Sequence, residues 1–181
     1  MKLTKLAAVL GFSCLMVAGS AFAEDPVEPI TGGHGQITFE GEIIDAPCSI
    51  APNNDKQTVQ LGQVSSSLLK EGGRSTSEAF TIKLENCSTK TYKTVEATFS
   101  GLGATGIDNA IAIDGTAKGA GVIISQYGGN IVKLGEATSP AQVLSEGPNE
   151  LRFSAYLQGK QGVDVTPGTF SSIATFALTY K

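Results

Sequence analysis

The chain has 181 residues, 41% of them hydrophobic, which suits one folded domain with a single core. It carries 17 acidic side chains against 13 basic ones, a formal net charge of −4, and its Lys and Arg are scattered without a recurring aromatic and basic cluster. That composition argues against binding to nucleic acid.

Residues 1–23 read as a secretory signal peptide: Lys2 and Lys5 give the positive end, residues 6–17 the apolar stretch, and Ala21-Phe22-Ala23 the small-x-small cleavage site. The apolar stretch is too short to span a bilayer, and no later segment approaches about 18 apolar residues, so an exported product that is soluble or assembled is expected. Cleavage after Ala23 takes Lys2 and Lys5 away, so the 13 basic residues become 11 against 17 acidic ones and the net charge becomes −6. Acidity of this kind keeps an extracellular surface soluble.

A loose leader with Pro and Gly, residues 24–33, comes next. After it Gly35, Ile37, Phe39, Gly41 and Ile43 alternate with Gln36, Thr38, Glu40 and Glu42, a period of two that gives a strand one apolar and one polar face. Residues 24–43 are therefore an N-terminal extension, a tethered arm able to complete another molecule's sheet, and residues 44–181 are the domain proper.

Cys14 leaves with the signal peptide, so Cys48 and Cys87 remain as an even pair in an exported protein, and a disulfide between them is expected. Closing a loop of 39 residues contributes about 4 kcal/mol in the chain-entropy treatment. A zinc site needs more ligands than two cysteines and His34 offer. A redox role would want Cys-x-x-Cys, which the sequence lacks.

Short segments of period-two alternation bounded by Gly, Asn, Asp, Ser and Pro predict an all-β body. The strand candidates are residues 42–50, 58–61, 78–85, 94–99, 121–126, 130–134, 150–158 and 169–180, with a helical turn at 64–70. About seven strands in this length suggest a sandwich. In the final segment Ala174, Phe176, Leu178 and Tyr180 share one face up to Lys181, so the last strand has no successor to cover it.

Three motifs invite other readings. Gly101-Leu102-Gly103-Ala104-Thr105-Gly106 matches a dinucleotide fingerprint but is followed by the strand-like Ala110-Ile111-Ala112-Ile113 rather than a helix, so it reads as a surface loop. Ser67-Leu68-Leu69-Lys70 matches S-x-x-K without the companion motifs. His34 sits in the arm, where no ordered shell could make it a catalytic base, and no carboxylate pair stands out as acid and base. No catalytic residue, cofactor or metal site is expected.

These pieces resemble the chaperone–usher pilins, most closely the major structural subunits of P-pilus and mannose-resistant Proteus-like fimbriae. The resemblance is carried by Gly35-Gln36-Ile37-Thr38-Phe39-Glu40-Gly41, Ile44-Asp45-Ala46-Pro47-Cys48-Ser49-Ile50, Leu84-Glu85-Asn86-Cys87 and the terminal Ala174-Thr175-Phe176-Ala177-Leu178-Thr179-Tyr180. It implies an incomplete immunoglobulin-like sandwich lacking its last strand, with a vacant groove beside Ala174, Phe176, Leu178 and Tyr180. By the same resemblance Gly35, Ile37, Phe39, Gly41 and Ile43 are the donor strand, and Gly41 is where the arm passes close to its recipient. The implied partners are identical subunits, a periplasmic chaperone, an outer-membrane usher, and adaptor and tip subunits. The implied destination is a fimbria on the bacterial surface, reached through the periplasm. A minor adaptor, a terminator or a tip adhesin are the alternatives to a major shaft subunit, and the arm without an extra N-terminal domain speaks against an adhesin.

Overall fold

A computed structural model of the protein describes residues 32–181; the signal peptide and most of the leader lie outside the described residues. The chain divides between Glu42 and Ile43. Within the first unit, residues 32–42 are exposed and belong to no strand or helix. The alternation therefore does not make a strand here: a strand needs a hydrogen-bonded neighbour, and none is assigned to this segment.

The second unit is built from ten strands. They are β1 (Ser49–Ile50), β2 (Glu78–Cys87), β3 (Thr94–Gly101), β4 (Ala110–Ala112), β5 (Asp114–Gly115), β6 (Ala120–Gln126), β7 (Gln142–Val143), β8 (Gly147–Gly159), β9 (Phe170–Ser171) and β10 (Ala174–Tyr180). A five-stranded sheet in the order β1-β2-β8-β6-β4 faces a three-stranded sheet, β10-β3-β7, and β5 pairs with β9 apart from both. All named pairings are antiparallel.

Alternation places the core. Ile82 and Leu84 of β2, Leu151, Phe153, Ala155 and Leu157 of β8, and Val95, Ala97 and Phe99 of β3 are buried in one cluster between the sheets. At its centre Phe99 meets Phe153 edge-on at 4.9 Å, Phe80 stacks on Phe153 at 5.6 Å, and Phe176 reaches Phe99 at 6.2 Å. The disulfide joins Cys48, just ahead of β1, to Cys87 at the end of β2, and both cysteines are buried. This marks the lower end of the sandwich; the upper end lies at Gly101 and Gly159.

Several expected strands differ. Residues 42–48 carry no strand, and pairing begins only at Ser49. Residues 58–61 and 130–134 are likewise outside named strands, the latter held by an isolated bridge from Ile131 to Ser125. The segment 169–180 breaks at Ser172 and Ile173, because β9 pairs with β5 and β10 with β3. The turn expected at 64–70 is a 3-10 helix, Ser66–Gly72, whose Leu69 is buried. Leu69 packs so tightly on β8 that its carbonyl oxygen occupies the space a Cβ on Gly159 would need.

The loop after β3 has a structural use. Ile107 covers Ala110, Ile123 and Tyr156 on the outer face of the large sheet, with Ala104 beside them. Arg74 lies 5.8 Å above the Tyr156 ring. The glycine-rich hexapeptide thus forms part of a lid over a second small core, with Gly106 at φ +79° turning the chain.

Candidate functional site

The feature that the fold leaves open is a groove of about 1420 Å³ between the sheets. Its floor is apolar: Phe80 and Ile82, Ala155 and Leu157, Val122 and Ile124, Ile111 and Phe99 all line it. One lip is the extended segment 57–64, whose Leu61 and Val64 lean onto the core. The other is the start of β10 with residues 165–173 ahead of it.

Both lips have free main-chain groups. Among the described residues β10 is an edge strand with β3 as its only neighbour, so its other side offers N–H and C=O groups without a partner there. No backbone-to-backbone hydrogen bond involves residues 55–64 among the described residues; the nearest anchor is a side-chain one, Gln57 Nε2 donating to Thr81 O at 3.0 Å. Burying such groups without a partner is unfavourable. An inserted strand would satisfy both edges at once while its alternate side chains covered the floor.

The terminal residues divide. Ala174 and Phe176 line the groove; Leu178 and Tyr180 do not, although both are half-buried against the core. Leu178 stands opposite Ala97 and Tyr180 opposite Val95 in β3, below the open stretch. Burial raises the Tyr180 phenol above its usual pKa. The chain end is pinned to β3: the Lys93 and Thr94 amides donate to Lys181 O at 2.7 and 2.9 Å, and Lys181 Nζ meets Glu96 Oε2 at 2.7 Å. Nearby, hydrogen bonds from the Thr89 hydroxyl and amide lower the pKa of Glu146.

In the arm, Ile37 is 77% and Phe39 89% exposed, and a Cβ on Gly35 or Gly41 would meet nothing within 4 Å. The sequence pattern marks a strand at 58–61 but neither the second lip there nor the upper margin at residues 165–170. The Val59 and Leu61 alternation was the available signal for the first. For the second there was none, since Pro167 and Gly168 read as an ordinary loop. No group of acidic, histidine or cysteine side chains suited to a metal occurs among the described residues.

The sequence model of the family described as fimbrial protein matches residues 37–181. The chain is 53% identical over 182 residues to the major MR/P fimbria protein of Proteus mirabilis strain HI4320, with 100% of both chains covered. It resembles a chain of a solved chaperone–usher pilus with a TM-score of 0.75 and 32% identity, covering 85% of this chain and 99% of that one. The P pilus rod subunit PapA matches with a TM-score of 0.66 and 32% identity, covering 75% and 100% respectively.

Proposed function

This chain belongs to the fimbrial protein family, and from that premise we propose that it is the major structural subunit of a chaperone–usher fimbria, polymerising through its arm and groove. The observation that carries the reading is the groove whose main-chain edge on each side is unpaired among the described residues, in a chain that also bears an exposed, alternating arm outside any assigned strand. The fold is the immunoglobulin-like sandwich of pilus subunits, and the family is one of structural pilins rather than enzymes. Gly35, Ile37, Phe39, Gly41 and Ile43 of one copy form the donor strand for the groove of the next.

Energetics supports separation of donor and acceptor. Burying Ile37, Phe39 and Ile43 at roughly 1.5–3 kcal/mol each contributes about 5–9 kcal/mol. That is comparable to the whole stability of a typical domain, about 5–15 kcal/mol. A body with its groove empty therefore needs a temporary occupant, which in the periplasm is a chaperone strand; the usher then exchanges it for the arm of the next subunit. The finished fibre stands on the cell surface, joined to adaptor and tip subunits. Co-expression with candidate periplasmic chaperones tests this. A one-to-one complex should be recovered with the full chain and lost when residues 176–181 are deleted, whereas a stable, chaperone-free monomer with a complete fold refutes it.

A further inference from the structure

Charge around the groove is uneven. Its charged lining residues are Asp55, Lys56 and Lys118. Asp55 and Lys56 are adjacent on the lower part of one lip, just after Asn54, whose side-chain oxygen accepts from the Lys83 amide at 3.2 Å, and their charges offset one another. Of the charged lining residues only Lys118 lies at the upper end, where its backbone bridges to Thr166, the Gly119 carbonyl accepts from the Lys160 amide at 2.8 Å and the Asp164 backbone packs on Gly119. Its side chain is exposed and forms no ion pair among the described residues.

The arm is uneven too. Between Gly35 and Ile43 its only charged residues are Glu40 and Glu42, both in the second half and both on the face opposite Ile37 and Phe39. When the apolar face is turned to the groove floor, these two carboxylates face outward, about 7 Å apart, at the level of the rim.

We propose that Lys118 receives the carboxylate of Glu40 or Glu42 from the arm of a second copy of this chain, fixing which end of the arm lies at which end of the groove. The inference rests on the arm-and-groove reading above and adds the contact that sets direction and register. The second half of the arm lies at the upper, Lys118 end, so the arm runs antiparallel to β10, which descends from Ala174 beside Gly101 to Tyr180 beside Val95. The reverse insertion leaves Lys118 unanswered and brings Glu40 and Glu42 to the Asp55–Lys56 pair, whose charges already offset one another. Opposite charges at such a rim act mainly on the rate and selectivity of docking.

The test is the polymerisation rate of purified chaperone-bound subunits, read as ladders on gels run without boiling. Lys118→Glu should assemble about three- to tenfold more slowly than wild type at low salt, since exposed pairs are weak and their reversal adds repulsion of similar size. The difference should shrink at about 0.5 M salt, where screening is strong. Adding Glu40→Lys or Glu42→Lys to Lys118→Glu should restore the rate in one of the two combinations. A Lys118→Glu rate equal to wild type at low salt, or no restoration by either combination, overturns the proposal. If Lys118→Glu folds poorly, the arm variant Glu40→Lys with Glu42→Lys in an otherwise native chain gives the same reading, slow assembly supporting the contact and an unchanged rate refuting it. Ladders from a protein lacking residues 32–43 would instead remove the arm-and-groove reading, and this contact with it.

Discussion

Phe39→Ala separates folding from assembly most cleanly. In the isolated chain the Phe39 side chain is 89% exposed, so truncating it removes almost no burial from the subunit itself. Once the arm lies in a neighbour's groove, the ring covers a floor that already includes Phe80 and Phe99. Full burial of a phenylalanine is worth about 1.5–3 kcal/mol, and each 1.4 kcal/mol is tenfold in an equilibrium constant. The subunit should therefore be recovered in wild-type amounts, with the Cys48–Cys87 bond formed. Its fibres should come apart about 10- to 150-fold more readily. The assay is loss of ladders on gels after stepwise heating or denaturant, beside the thermal melt of the chaperone-bound subunit. Ladders as resistant as the wild type's would show that Phe39 is not buried in the fibre, and a drop in subunit yield would show that it already serves its own domain.

Gly41→Asn should also give a soluble chaperone-bound subunit, since the added side chain meets nothing within 4 Å in its own chain; it should fail to form ladders, because overpacking costs roughly 1–3 kcal/mol or more where the arm crosses a groove, and wild-type ladders would rule out that close passage. Cys48→Ser or Cys87→Ser breaks a buried tether and should lower subunit levels sharply, in line with about 2–5 kcal/mol for native disulfides in small exported domains; wild-type levels on immunoblots of periplasmic extracts would contradict this. Burial raises the Tyr180 pKa, so the folded state holds its proton more tightly than the unfolded chain does. Its contribution is complete below the ordinary value of 10.0 and fades as pH rises through the folded value. Denaturant midpoints should therefore fall more steeply above pH 10.0 for the native protein than for Tyr180→Phe, and parallel curves would assign the alkaline loss elsewhere.

Periodicity and composition by themselves determined the all-β class, the cysteine pair, the alternating arm and the apolar face of the last strand. These are local facts: side-chain parity along a strand follows from backbone geometry alone, and two cysteines in an exported chain have one evident fate. What the alternation could not reveal is whether a segment would find a neighbour. Residues 35–43 and 58–61 carry strand-like patterns and belong to no strand pairing among the described residues, while Asp114 and Gly115, with no such pattern, pair with Phe170 and Ser171. Pairing depends on where distant segments bring a second edge, and that is decided only once the two sheets have closed over Phe99 and Phe153. The same closure decided the extent of the groove. Phe176 and Tyr180 are equivalent in the sequence pattern, yet the first lines open space and the second lies below it, and the loop at 165–170 and Lys118 become its upper margin only because β6 and β8 carry them there.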